Sequence, residues 1–198
     1  MRFCVWPGDG SPSFDDAPVM DFFTRSAANL VAAAGNAGVR HYAALSIVGA
    51  DGLPDSGYMR AKVVQEKVIA ASGLPYSILR ATQFQEFAEA IVASLEDGDE
   101  VRVPDARIQP IAAEEVAAEL ARVAVSAPVN GVVNIGGPDK ISFADLARTV
   151  LARRGADKAI VVDPRATYFG TAVDHMSLVT GDGAVSGTAR FADRPTVS

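Results

Sequence analysis

The sequence predicts an α/β protein, a doubly wound parallel sheet with helices on both faces. Three observations carry that reading. Short apolar runs alternate along the chain with longer segments whose apolar residues recur every three or four positions. Glycines such as Gly38, Gly49, Gly73 and Gly155 close these segments. With 198 residues, 49% hydrophobic and 21% charged, the chain can bury roughly 70% of the surface its unfolded form would expose, which suits one domain over residues 1–198.

The elements follow in order. Val19, Phe22, Phe23, Ala27, Leu30 and Ala34 have helical spacing, with Pro18 in the first turn and Gly38 as the stop. Tyr42–Val48 is a buried strand leading into a loop that ends near Gly57. Tyr58–Ser72 is helical, Pro75–Arg80 a strand and Phe84–Leu95 a helix. After the turn Asp97–Glu100, Val101–Val103 and Arg107–Ile111 are extended, Ala113–Val125 is helical and Val132–Ile135 extended. Ser142 and Asp145 form a capping box for a helix running to Arg154, and Ala159–Val162 is the last strand before an irregular tail from Pro164. Strands that alternate with helices in this way make a parallel sheet covered on both sides.

Composition excludes several classes of function. The 18 basic and 24 acidic residues give a net charge of −6 without any block of like charge, so the phosphate-neutralising surface of a nucleic-acid binder is missing from the sequence. Cys4 is the one cysteine, and His41 and His175 have no metal-ligand spacing around them, so no metal site is expected. Pro7 and Asp9 interrupt what would be the apolar stretch of a signal peptide, and no run is long enough to span a bilayer. A soluble cytoplasmic protein is expected.

In a sheet of this kind ligands bind beyond the carboxyl ends of the strands, which directs attention to the residues around Ser46, Arg80 and Ile135. Tyr58 and Lys62 stand four apart on one helix face, and Ser46 lies twelve residues before Tyr58 at a strand end. That trio suits proton transfer at a carbonyl or alcohol. A free tyrosine has a pKa of ~10, and a neighbouring cation favours its phenolate, so Lys62 is expected to bring Tyr58 toward neutral pH while Ser46 holds the substrate oxygen. Set against this, helix surfaces favour such i, i+4 pairs for stability alone.

The segments SPSFDDAPVMDFF, ALSIVG, SGYMRAK, QEKVIAASGLPYSILRATQF, IQPIAAEEVA and NGVVNIGGP, in this order and spacing, resemble the later two-thirds of the NmrA-like, NAD(P)-binding group of atypical short-chain dehydrogenase/reductases. The resemblance runs from about Ser11 to about Phe191 and implies a Rossmann-like fold. It implies Tyr58 as the acid/base, Lys62 as a further contact to the nicotinamide ribose, and Ala81, Thr82 and Gln83 as the loop beside the nicotinamide of an NAD(P) cofactor. The region from about residue 100 would form the substrate side. Phe84, Phe87 and Tyr168 are candidate substrate contacts, although the helical spacing of Phe84 and Phe87 also fits a core. Asn29 is read as structural and His41 as a surface residue.

One departure stands out. The glycine-rich turn that would approach the dinucleotide pyrophosphate has no convincing copy: Pro12 and Ser13 break the pattern after Gly8-Asp9-Gly10, and Gly136-Gly137 and Gly181-Asp182-Gly183 read as turns. Phe3–Trp6 would take the place of the family's fourth strand, so three strand-helix units, on the order of 70–80 residues, are expected to be absent. An uncovered strand edge then invites association with a second copy, and NAD(P) binding by this chain alone should be weak. The expected activity is NAD(P)-dependent carbonyl or quinone reduction of a small-molecule substrate. The rival reading is a non-catalytic dinucleotide-sensing or regulatory protein, or an inactive fragment.

Overall fold

The computed structural model describes residues 16–193. Helix α1 (Asp16–Asn36) leads to β1 (Tyr42–Ile47), α2 (Gly57–Ala70) and β2 (Tyr76–Ala81). Next come α3 (Ala88–Ala93), β3 (Glu96–Asp97), β4 (Glu100–Val103), β5 (Arg107–Ile108), α4 (Ala113–Val125) and β6 (Gly131–Gly136). Then β7 (Ile141–Ser142), α5 (Phe143–Arg154), β8 (Ala159–Val162) and β9 (Val185–Ser186) complete the described residues. The main sheet has the order β1-β2-β6-β9 with every pairing parallel, in a register that sets Ser46 opposite Arg80 and Arg80 opposite Asn134. A second sheet, β3-β4-β8, pairs β4 with β8 in parallel, and β5 pairs with β7 antiparallel. The architecture is the expected Rossmann-like α/β arrangement.

Local chemistry starts and stops these elements. Ser56 caps α2 by accepting from the Met59 N–H at 3.4 Å. Ser142 caps α5 by accepting from the Asp145 N–H at 3.0 Å, and Gly155 ends that helix in the left-handed region. The carboxylate-rich first turn of α4, with Glu114 and Glu115, complements its helix dipole.

One face of the main sheet packs Leu79, Ala81 and Ile135 against Ile111 and the α4 residues Val116 and Leu120. The opposite face of β2 carries Arg80 toward α2. A larger cluster joins Met59, Ile91, Val92, Val101, Val103, Ile108, Phe143, Leu146, Leu178 and Tyr168, and so welds the second sheet and the tail to α2.

Several findings differ from the sequence expectation, among them the short strands β3 and β7. Phe84–Leu95 is not one helix: the Gln85 N–H donates to the Ile111 carbonyl at 2.8 Å and the Ile111 N–H to the Gln83 carbonyl at 2.9 Å. This bridge holds residues 83–85 extended, so a 3-10 turn over Gln85–Phe87 precedes α3. The tail from Pro164 also contributes β9, which is too short to show any periodicity. His41 is half-buried, with Nε2 2.9 Å from Ser77 Oγ, and is tied into the start of the sheet. Phe3–Trp6, Cys4 and Gly8-Asp9-Gly10 lie outside the described residues; among those described, β1 has no strand beyond its outer edge.

Gly136-Gly137 is a packing turn. A Cβ on Gly137 would sit 1.8 Å from the Pro110 carbonyl oxygen. Buried Gln109 reinforces the contact: its amide donates to the Gly137 carbonyl at 2.7 Å and accepts from the Thr180 N–H at 2.8 Å. Gly49 is equally constrained, with φ +80 and a Cβ position 2.0 Å from the Ser177 carbonyl oxygen. Gly137→Ala is therefore expected to destabilise the chain by roughly 1–3 kcal/mol. Gly181→Ala, where a Cβ meets nothing within 4 Å, should stay within about 0.5 kcal/mol of the parent. Urea denaturation measures both, and equal midpoints for the two variants would overturn the close-packing account.

Candidate active site

Helix α2 presents Tyr58, Lys62 and Glu66 at successive turns along one stripe. Glu66 fixes that stripe against the sheet: Arg80 donates from Nε to Glu66 Oε1 at 2.9 Å and from Nη2 to Oε2 at 2.7 Å, and its remaining Nη1 reaches Asp51 at 3.0 Å. Lys62 is buried. Its ammonium donates to the Leu45 carbonyl of β1 at 2.9 Å and to the Gln65 side-chain oxygen, and lies 5.0 Å from the centroid of the Phe23 ring. Phe23 also meets Tyr58 edge-on at 5.7 Å, so one aromatic of α1 covers both residues.

The electrostatics run against one expectation. Burial raises the Tyr58 phenol above its ordinary pKa, and no offsetting effect of Lys62 emerges. Burial in turn brings Lys62 down to about 8, with the Glu66 charge opposing it. Burial thus keeps the phenol protonated, while the Lys62 ammonium is engaged by Leu45 and Gln65. Tyr168 belongs to the same neighbourhood: it is buried against Phe143, with ring centroids 5.9 Å apart, and its hydroxyl is pushed up by burial and by the charge of Tyr58.

At the carboxyl ends of β1 and β2 lies a set of buried polar atoms with no hydrogen-bond partner among the described residues: Ser46 Oγ, Thr82 Oγ1 and both amide atoms of Gln83. Such atoms each cost about 1–3 kcal/mol when left unpaired, and they occur here at the sheet edge where α/β folds place their ligands. They offer two hydroxyls and an amide that both donates and accepts, which fits a nicotinamide and its ribose. Among the described residues no glycine-rich strand-to-helix turn is present to take a pyrophosphate. The residues present therefore fit the nicotinamide half of a dinucleotide.

Ser46, Thr82 and Gln83 thus share the strand ends with Ala81, the last residue of β2, while Tyr58 and Lys62 approach from α2. Phe84 and Phe87 stack on one another at 6.0 Å; Phe84 packs on the α4 face and Phe87 is 58% exposed. Asn29 is exposed on α1. Phe23, Gln65 and the Glu66–Arg80 pair escaped the sequence reading. Only the position of Glu66, four residues beyond Lys62, signalled any of them. Among the described residues there is no cluster of three or more candidate metal ligands, and no helix is long and apolar enough to cross a membrane.

A family profile described as NAD(P)H-binding matches residues 4–126. Three solved structures illustrate the likeness in fold. The Bordetella bronchiseptica enzyme WbmG, in complex with NAD, is 19% identical with a TM-score of 0.60, over 82% of this chain and 58% of that one. An NADPH-dependent quinone oxidoreductase from Escherichia coli is 22% identical with a TM-score of 0.59, over 75% and 58% respectively. The UDP-Glc/GlcNAc 4-epimerase from Campylobacter jejuni is 14% identical with a TM-score of 0.59, over 81% and 63%. The chain accordingly spans less than two-thirds of each of these proteins. The comparison with curated proteins finds no match.

The low pKa of Lys62 has a consequence for stability. Its folded value of about 8 lies below the ordinary 10.5, so above about pH 8 the unfolded chain holds this proton more tightly than the native one. Stability therefore rises with pH between these two values and is least favoured by this group below the lower one. Urea midpoints are expected to show a Lys62-dependent rise from about pH 7.5 to about pH 9.5 that Lys62→Met flattens. An identical pH slope in parent and variant would overturn the assignment.

Proposed function

The chain belongs to the NAD(P)H-binding family, as an NmrA-like, atypical short-chain dehydrogenase/reductase, and from that premise we propose that it reduces a carbonyl or quinone in an NAD(P)-dependent reaction. The observation that carries this reading is the set of buried polar atoms on Ser46, Thr82 and Gln83 at the carboxyl ends of β1 and β2, without hydrogen-bond partners among the described residues, together with the hydrogen bond that ties Lys62 of α2 to Leu45 of β1.

In the reduction, Ser46 Oγ donates to the substrate oxygen and fixes its position. Tyr58, kept protonated by burial, delivers its hydroxyl proton to that oxygen as negative charge builds there. The hydride that completes the alcohol is the chemistry a reduced nicotinamide supplies when bound. Lys62 contacts the ribose hydroxyls, while Thr82 and Gln83 hydrogen-bond the nicotinamide end and the small side chain of Ala81 leaves room at the strand end. Tyr168 borders the substrate from beneath, and the stacked Phe84 and Phe87 offer a flat apolar surface on the far side of the loop. In this reading residues 1–198 form one domain, with the region from about residue 100 supplying the substrate side. Copies associate through an open strand edge, and this chain alone holds the whole dinucleotide weakly.

A non-catalytic, dinucleotide-sensing role is the second reading, favoured by one observation: the hydrogen bonds of Lys62 are directed at Leu45 and Gln65, while burial makes the Tyr58 phenol hard to ionise. Steady-state assay with NADPH and a benzoquinone separates the two. Tyr58→Phe removes only the hydroxyl and is expected to lower kcat by roughly 10²–10⁴-fold, with Ser46→Ala less damaging. Rates for folded Tyr58→Phe within about threefold of the parent would overturn the acid/base role, and NADPH binding without turnover by the parent would favour the sensor.

A further inference from the structure

Lys62 has three N–H donors to satisfy. One meets the Leu45 carbonyl at 2.9 Å, a second meets the Gln65 side-chain oxygen, and the Phe23 ring covers the nitrogen at 5.0 Å. These three contacts are in place before any ligand arrives, and the Glu66 carboxylate one turn further along α2 adds its charge. A hydroxylated ligand that takes a hydrogen bond from Lys62 must displace one of them, and they are not equally movable. Leu45 belongs to β1, where its position is fixed by the parallel pairing with Leu79 of β2. Phe23 is wedged edge-on between Phe22 at 5.3 Å and Tyr58 at 5.7 Å. Gln65 is half-buried, one helical turn beyond Lys62, and its amide swings on flexible side-chain bonds.

We propose that Gln65 is a latch on Lys62: its amide oxygen occupies the donor that a ligand's vicinal hydroxyls would otherwise take, so that Lys62 is engaged by ligand as Gln65 swings out. This rests on the reading of Lys62 as a ribose contact. The competition is between two acceptors for one charged donor. A neutral amide oxygen is strong enough to hold the ammonium in its buried place and weak enough to yield to a pair of hydroxyls. A carboxylate at this position would not yield so easily, because the attraction of two opposite charges is added to the hydrogen bond. Gln65 is accordingly a positioning residue that sets how readily Lys62 is given up.

The test uses the full chain, carrying lysine labelled with ¹³C at Cε, in three forms: parent, Gln65→Leu and Gln65→Glu. The first readout needs no ligand and follows the titration of Lys62 by NMR. Removing the acceptor in Gln65→Leu is expected to lower the Lys62 pKa by about half a unit or more, and the carboxylate of Gln65→Glu to raise it by a similar amount. A merely structural role for Gln65 does not predict opposite signs. The second readout is affinity for nicotinamide mononucleotide, which carries the ribose diol without an adenosine half. Gln65→Leu should tighten binding about threefold or more and Gln65→Glu should weaken it. Lys62 titrations that coincide in all three forms, or move the same way in both variants, overturn the latch, as does equal affinity of all three forms for the mononucleotide. Opposite titration shifts with no mononucleotide binding by any form would instead overturn the ribose reading of Lys62 and uphold the hold of Gln65 on it.

Discussion

The site depends on the fork between Arg80 and Glu66. Its two parallel hydrogen bonds join the middle of α2 to the carboxyl-terminal half of β2, with both side chains largely withdrawn from water. A helix lying on a sheet can slide and roll. Two bonds from one planar guanidinium to one carboxylate remove both freedoms at once. Because Tyr58, Lys62 and Glu66 share a stripe, fixing the last of them fixes the orientation of the other two. Loss of Arg80 would strip the buried Glu66 carboxylate of its bidentate partner, at a cost of about 3–5 kcal/mol, whereas loss of Glu66 leaves Arg80 its ion pair with the exposed Asp51. The contact of Lys62 with the Leu45 carbonyl is possible because the fork has already set the height and rotation of α2 above β1.

Two buried glutamines of this molecule have opposite hydrogen-bonding roles within the described residues. Gln109 spends its amide on the Gly137 carbonyl, the Thr180 N–H and the Thr180 hydroxyl, and so staples the turn after β6 to the tail. Gln83 is almost as deeply buried and uses neither of its amide atoms within the described residues. The same side chain is structural in one place and available in the other. What differs is the backbone around it: the 83–85 segment is held extended by Ile111, which leaves the Gln83 side chain with no neighbour to answer it.

Much of this was legible in the sequence, for identifiable reasons. Ala113–Val125 and Ala159–Val162 carry their periodicity in consecutive residues, and the structure places those elements at these bounds. Ser142 and Asp145 announced the start of α5 through side chains three positions apart. The positions of Ser46 at the end of β1 and of Tyr58 and Lys62 one turn apart on α2 were likewise readable from a strand end and a helical spacing. Contacts between distant segments were not. Nothing local to Phe23 says that it will lie over Lys62, and nothing local to Phe84 says that Ile111 will pair with it. The direction of the Tyr58 shift was missed for the same reason: a nearby lysine is visible in sequence, whereas the burial that outweighs it comes from α1 and from the tail around Tyr168.

The close seat of Gly49 against the Ser177 carbonyl also bears on the order in which the chain assembles. The strand β1 and the helix α2 are neighbours in sequence and can find one another early, through contacts that close short loops. The loop between them is different. It reaches its final shape only when a segment more than a hundred residues later has arrived to seat against it, and the ring of Tyr168 arrives with that same segment. On a ribosome, where the amino-terminal part emerges first, β1 and β2 can therefore pair well before Tyr168 joins the core beside Tyr58. The β1–β2 pair can form early, but the last residues bring β9 to the main sheet and Leu178 and Phe191 to the core, so the fold itself is completed only when they arrive.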